Sequence, residues 1–531
     1  MSEEVGNAED GAEAEHTPQP WEIVLPEEGA TEDLGVFLAG LLVPGDIVAL
    51  SGGLGGGKTT LARALIRELS ADWTLDVPSP TFTLVQPYET RKGPVVHADL
   101  YRLRGPDELV ELGFDELTET AITLVEWPDR LGHRENPTLS VDLSLRAEFG
   151  EGSRFVRIDG QNGMRARLDR ARALRGLLVR SGWDEAERHH MQGDASSRAY
   201  ERLVKPDGAK AVLMIAPARP DGPPVRDGKP YSAIVKLAET VNAFVAMDQG
   251  LRALQLSAPR ILAQNLSQGL LILEDLGTEP VIENGAPRPE RYAEAVRLLA
   301  KLHATELPGM LPVAEGIEHV IPPYDLEALL FEAELMPEWY APAIRDVTLS
   351  GSARSAFLSL WTEALTGLLG ERTTWTLRDY HSPNLIWLPE REGLERVGLI
   401  DFQDAVLGHP AYDLASLLQD ARVDASAEFE LRLLGLYIRE RRAREPGFDM
   451  QAFARAYAVL AAQRATKILG IFARLDKRDG KPGYLAHLPR IEGYLARNLA
   501  HPAMSDLRGW HEKHLPSLMP SLVPKPEDRG G

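Results

Sequence analysis

Apolar positions along this chain change their period between two regions. From Trp21 to about Arg157, short β-like runs alternate with helical stretches: Ile47 to Leu50, Val95 to Ala98 and Ala121 to Val125 read as strands, and Thr59 to Leu69 reads as a helix. The segment Asp159-Gly160-Gln161-Asn162-Gly163 is polar and turn-rich, which predicts a linker over residues 159–165 after a first domain of residues 20–158. Beyond it, Met164 to Gly182 has the spacing of a basic amphipathic helix and opens a second domain, 166–518. There Ala211 to Ile215 and Leu270 to Leu273 are strand-like, and Ser232 to Leu256 predicts one long helix. After Pro289 the spacing of Ala295, Leu298, Leu299 and Leu302 is helical, interrupted by β-like pieces around Trp375 to Trp387 and Val397 to Phe402. A small mixed lobe, about 183–276, thus precedes a helical lobe, about 277–518. Residues 1–19 read as a disordered acidic tail and 519–531 as a proline-rich one.

Composition narrows the chemistry. The 531 residues include no cysteine, which excludes disulfides, thiolate zinc sites and a cysteine nucleophile, and the expected location is the cytoplasm. With 79 acidic against 58 basic side chains the formal net charge is -21, so unaided electrostatic binding to nucleic acid is disfavoured and any role on RNA calls for a partner. The most apolar stretch, Val36 to Leu50, is cut by Pro44, Gly45 and Asp46, and no membrane span is expected. His189, His190, His501, His511 and His514 have no ligand spacing and read as ordinary histidines.

Gly52-Gly53-Leu54-Gly55-Gly56-Gly57-Lys58-Thr59 follows one predicted strand and opens a helix, the context a phosphate-binding loop requires. Gly52, Gly55 and Gly57 let backbone NH groups curl around phosphates, Lys58 supplies a point charge, the Thr59 hydroxyl can ligate magnesium, and Thr60 continues the loop into the helix. Two acids, Asp99 and Glu126, each end a predicted strand and are candidates to hold the metal or orient water, with Thr81 a candidate sensor of the terminal phosphate.

Ser79-Pro80-Thr81-Phe82-Thr83-Leu84, His97-Ala98-Asp99-Leu100-Tyr101-Arg102-Leu103 and Glu126-Trp127-Pro128, in that order after the loop, resemble the TsaE family over about residues 20–160. The resemblance implies an α/β P-loop ATPase that serves threonylcarbamoyl transfer to tRNA adenosine. By it, ATP and magnesium are the cofactors, subunits of the TsaD and TsaB type are the partners, and tRNA is met only indirectly. Asp99 and Glu126 would act around metal and water, and Trp127 would lie beside the site.

A second constellation lies downstream. Asp379-Tyr380-His381-Ser382-Pro383-Asn384 has the form D-x-x-x-x-N, and Asp401 stands 17 positions after Asn384. In the kinase template the first Asp accepts the hydroxyl proton while the Asn and the second Asp hold magnesium on the phosphates. Leu270 to Gly277 reads as a buried strand whose Glu274, Asp275 and Leu276 would meet adenine through the backbone, and His303 reads as a packing histidine.

These motifs, with Gly193-Asp194-Ala195-Ser196 and Tyr412-Asp413-Leu414-Ala415, resemble the aminoglycoside-phosphotransferase-like kinases, an α+β two-lobed protein-kinase-like fold, over about residues 170–515. Within that group they resemble more closely the AmgK type, which phosphorylates the anomeric hydroxyl of N-acetylmuramate and N-acetylglucosamine in peptidoglycan recycling. That resemblance implies Asp379 as base, Asn384 and Asp401 on magnesium, and Glu334 and Trp339 on the sugar. Two departures stand out. Leu377 replaces a histidine before the catalytic loop, and Ala211 to Ile215 lacks the phosphate-contacting lysine, for which Lys205, Lys210 and Arg198 are substitutes. Kinases of another alcohol (an aminoglycoside, choline or homoserine) and a non-catalytic ATP-binding module are the competing expectations.

Overall fold

The computed structural model describes residues 20–103, 108, 113–131, 137–150, 152–191, 198–218, 222–371 and 373–518. The two expected tails and the Gly193 to Ser197 loop lie outside these residues. The chain divides into two compact units, Met1–Gly176 and Leu177–Gly531.

The first unit is a seven-stranded sheet. Its strands are β1 (Trp21–Leu25), β2 (Ile47–Ser51), β3 (Val85–Thr90), β4 (Gly93–Asp99), β5 (Ile122–Glu126), β6 (Leu139–Leu145) and β7 (Arg154–Gly160), in spatial order β1-β7-β6-β2-β5-β4-β3. β2 runs parallel to both β5 and β6, and β4 parallel to β5, so the carboxyl ends of β2, β4 and β5 open on one edge. Ile47 to Leu50 are buried, as expected of a central parallel strand covered on both faces. Helices α1 (Glu28–Leu41) and α2 (Lys58–Ser70) pack closely, since a Cβ at Gly35 would stand 2.6 Å from Ala64 Cβ, and a short helix α3 (Phe114–Thr118) precedes β5.

The predicted linker is not one. Asp159 and Gly160 pair with Ser140 and Leu139 in the β6–β7 ladder, and α4 (Asn162–Ser181) starts two residues later. Met164 and Leu168 join the first unit's core, and Arg167 pairs with Asp46 at 2.7 Å, so the start of α4 belongs to that unit and the boundary falls at Gly176. Turn-forming residues here make a strand-to-helix corner, not a spacer.

The second unit begins with a five-stranded antiparallel sheet, ordered β11-β12-β10-β9-β8, from β8 (Glu187–Met191), β9 (Ala199–Val204), β10 (Lys210–Ile215), β11 (Ile261–Asn265) and β12 (Leu270–Glu274). The helix predicted from Ser232 to Leu256 is two, a short turn Tyr231–Val235 and α5 (Asn242–Ala253). Lys236 takes a left-handed φ of 57°, which ends the first helix, and Asp404 holds the break by accepting from Ala238 N at 2.6 Å.

The helical lobe is built around α6 (Pro289–Ala304), α7 (Leu326–Leu335), α8 (Gly351–Thr366), α9 (Ala411–Leu418), α10 (Ala427–Arg444), α11 (Met450–Lys477) and α12 (Leu488–Leu499). The 28-residue α11 is buried nearly all round through its middle, the pattern of a central core helix. Its start is capped by Asp449, which accepts from Gln451 N and Ala452 N. Two short antiparallel ribbons frame the chemistry: β13 (Thr374–Thr376) with β16 (Val406–Gly408), and β14 (Leu385–Trp387) with β15 (Val397–Leu399).

Candidate active sites

In the first unit the glycine loop connects β2 to α2. Gly52 has a φ of 128°, and a Cβ there would lie 2.0 Å from Leu143 O, so no larger residue fits the turn that starts the cradle. Lys58 donates to the Gly52 and Gly53 carbonyls at 2.8 and 2.9 Å, and its ammonium sits 4.0 Å from the centre of the Trp127 ring. Burial lowers the Lys58 pKa, while the Glu126 and Asp99 carboxylates oppose that shift. The parallel register sets Asp99 opposite Glu126, and Glu126 opposite Leu50, which places both expected acids on the edge where the loop opens.

Each acid is held by hydroxyls. Thr59 donates to Glu126 at 2.8 Å, and Thr81 donates to Asp99 at 2.6 Å with Ser79 at 3.0 Å. His97, fully buried, lies 3.1 Å from Glu126. Lys58, Thr59, Ser79, Thr81, Asp99 and Glu126 line a cavity of about 310 Å³ that also includes Thr60, Tyr101, Trp127 and Arg154. A hydroxyl and two carboxylates are hard oxygen donors, and Thr59, Glu126 and Asp99 fit a magnesium ion beside bound phosphates. Arg154 is an addition to the expected set: it comes from β7, about a hundred residues after the loop, and no local motif marks it.

In the second unit a cavity of about 690 Å³ is lined by Glu274, Asp275, Leu276, Asp379, Asn384 and Asp401 together. β13 leads into the Asp379–Asn384 loop and β14 leaves it, while β15 ends just before Asp401. Asn384 Nδ2 donates to the Asp379 backbone carbonyl at 3.0 Å and to Asp401 Oδ2 at 3.4 Å, and Gln403 donates to Asp401 Oδ1 at 2.7 Å. Arg378 and Asp401 both have left-handed backbones, with φ of 65° and 59°. Strain of this kind persists where surrounding contacts over-determine the conformation. Here Asp413 accepts from the backbone of both Leu377 and Arg378, at 2.7 and 2.9 Å.

The two carboxylates differ. Burial alone would raise Asp379, but His381, Lys467, Arg378 and Arg464 hold it below the ordinary value, and its side chain keeps 47% of its accessible surface because it faces the cavity. Asp401 is raised, by burial and then by Asp379. Two neighbouring acids that repel each other, with a carboxamide between them, make a donor set that a divalent cation satisfies. At the end of β12 the Glu274 carboxylate accepts from Arg260 N and Arg391, and Asp275 pairs with Arg202 at 2.8 Å, so both acids are committed to neighbouring side chains or backbone.

Glu334 and Trp339 do not reach this cavity. Glu334 is paired with Arg226, and Trp339, in the π-helical turn Met336–Tyr340, packs on the core. The wall expected of them belongs to α11, where Arg464, Lys467, Ile468, Ile471 and Phe472 line the cavity. From Ala211 to Ile215, the stretch of β10 expected to carry a lysine, Val212 lines the cavity. Of the three substitutes considered, Arg198 approaches the chemistry, 3.7 Å from Asp401 and 3.9 Å from Asp404. Lys205 stacks on Trp183 and Lys210 is exposed at the start of β10. His303 is a packing residue bonded to Tyr437 at 2.9 Å. Among the described residues no cluster of three or more His, Cys, Asp or Glu has metal-binding geometry, and no helix is long and apolar enough to cross a membrane.

Residues 25–154 match the family model described as threonylcarbamoyl adenosine biosynthesis protein TsaE, and residues 190–448 match that of the phosphotransferase enzyme family. An N-acetylmuramate/N-acetylglucosamine kinase of Caulobacter vibrioides is 39% identical over 359 residues, 66% of this chain and 97% of the relative. One from Pseudomonas aeruginosa is 31% identical over 62% of this chain and 90% of its own. A tRNA threonylcarbamoyladenosine biosynthesis protein TsaE of Rickettsia felis is 41% identical over 123 residues, 23% of this chain and 71% of the relative.

Proposed function

As a fusion that belongs to the TsaE family through its first unit and to the N-acetylmuramate/N-acetylglucosamine kinase family through its second, this chain, we propose, carries two separate ATP-using activities. The first unit is the ATPase that supports threonylcarbamoyl transfer to tRNA adenosine, working with subunits of the TsaD and TsaB type and meeting tRNA through them. The second transfers the terminal phosphate of ATP to the anomeric hydroxyl of N-acetylmuramate or N-acetylglucosamine in cell-wall recycling. A cytoplasmic location fits these substrates.

One observation carries the kinase reading: Asp379, Asn384 and Asp401 converge on a single cavity with the edge of β12. Magnesium and ATP, when bound, supply the phosphoryl group and neutralise its charge. Asn384 and Asp401 would hold the metal, and Arg198 stands beside Asp401 in place of the absent lysine. Asp379 accepts a hydrogen bond from the sugar hydroxyl and takes its proton. A carboxyl held below its usual range is a weak base, so orienting the hydroxyl is its larger contribution, in keeping with a loose phosphoryl-transfer transition state.

Phosphate transfer to both sugars, measured for the wild type, Asp379→Asn and Lys58→Ala, tests this. Asp379→Asn should lower kcat by about 10²–10⁴-fold while Lys58→Ala leaves sugar phosphorylation intact. Conversely, Lys58→Ala should remove the ATP hydrolysis seen with the partner subunits. Equal loss of sugar phosphorylation in both variants contradicts separate sites.

A further inference from the structure

Resting on the amino-sugar reading, we propose that Arg464 is the specificity residue that holds the carboxylate of N-acetylmuramate. Its side chain lines the cavity that contains Asp379, yet the residue is only 7% exposed. No hydrogen bond or ion pair joins its guanidinium to another described residue. The neighbouring cations on this wall are committed. Lys467 is 2.7 Å from Glu332 and 3.4 Å from the Tyr412 hydroxyl, and Arg378, behind it, is 2.7 Å from Glu332. A buried guanidinium with no direct partner, attracted at longer range to the cavity-facing Asp379, is costly, and such a group aimed into a cavity is the signature of a site for an anion.

The surroundings define the anion's place. Ile468, Ile471, Phe472 and Leu475 follow Arg464 at helical spacing and line the same cavity, so a charge meeting Arg464 would be screened little by water. The nucleotide side is read as β12 and its Glu274 to Gly277 edge, which line the cavity from the five-stranded sheet, whereas Arg464 lines it from the helical lobe. An acceptor whose hydroxyl reaches Asp379 therefore extends toward α11. N-acetylmuramate is N-acetylglucosamine with a lactyl ether that ends in a carboxylate. That carboxylate is the one anionic group separating the two sugars, and a planar guanidinium can grip it with two parallel hydrogen bonds.

The test compares kcat/KM for N-acetylmuramate, its lactyl carboxamide and N-acetylglucosamine in the wild type, Arg464→Gln and Arg464→Lys. The wild type should favour the acid over the amide by about 10- to 100-fold, mostly through KM, the range of a buried charge-assisted contact. Arg464→Gln should bring that ratio near one and lose far more on N-acetylmuramate than on N-acetylglucosamine, while Arg464→Lys recovers part of the preference. An unchanged far-UV circular dichroism spectrum of Arg464→Gln shows that the variant is folded, so that its losses report the contact and not unfolding. An acid-to-amide preference that survives in Arg464→Gln, or equal losses on all three substrates, overturns the assignment and leaves the kinase reading standing. A wild type inactive on both sugars overturns that reading and this inference with it.

Discussion

Glu332 shows what fixes the Arg378–Asn384 loop from behind. The residue is 1% exposed and accepts from Arg378 and Lys467, both at 2.7 Å, and from the Tyr324 hydroxyl at 2.5 Å. Burial would raise its carboxyl, but Lys467 and Arg378 outweigh that and hold it ionised. Glu332→Gln strands two buried cations and should lower stability by about 3–5 kcal/mol in denaturant titration, the range for breaking a buried pair. Asp248 on α5 is the opposite case. Neither of its oxygens has a partner, and burial pushes its carboxyl from 3.8 up to about 7. Between those values the folded state binds the proton more tightly than the unfolded one, so this group's contribution falls as pH rises and is fully lost above about 7. Asp248→Asn should thus stabilise the protein at pH 8 by on the order of 2–4 kcal/mol and have little effect below pH ~4. An equal gain at both pH values would show that charge is not the cause.

Helix α11 crosses α7 so closely that a Cβ at Gly470 would lie 2.3 Å from the Leu335 carbonyl carbon. Gly470→Ala should cost about 3 kcal/mol in thermal or chemical unfolding and lower sugar phosphorylation with it, because α11 must shift to relieve the clash. The elements that carry contiguous motifs were legible beforehand. The glycine loop, Asp99 and Glu126 sit within one short sheet, and Asp379, Asn384 and Asp401 span only two ribbons. Arg464 and Lys467 were not legible. Along α11 they read as ordinary polar positions, and only the packing of a helix some sixty residues downstream turns them inward. The segment around Glu334 failed for the reverse reason: its residue types suit a sugar, but its helical phase commits Glu334 to Arg226. The break at Lys236 was hidden because apolar spacing continues on both sides of it.

Across the whole chain the two sites draw on separate cores, one around β2 and the other around α11. A protein carrying both Lys58→Ala and Asp379→Asn should therefore lose each activity by the same factor as the single variants; a departure would reveal coupling. The long central helix has an evolutionary consequence. Each residue added to an α-helix rotates all later positions by about 100° and advances them by about 1.5 Å. A single insertion or deletion between Asp449 and Arg464 would swing the guanidinium off the cavity wall and drive Gly470 out of its crossing at once. Acceptor choice in this lineage can drift along α11 by exchanging one side chain for another, while the length of the rod stays locked.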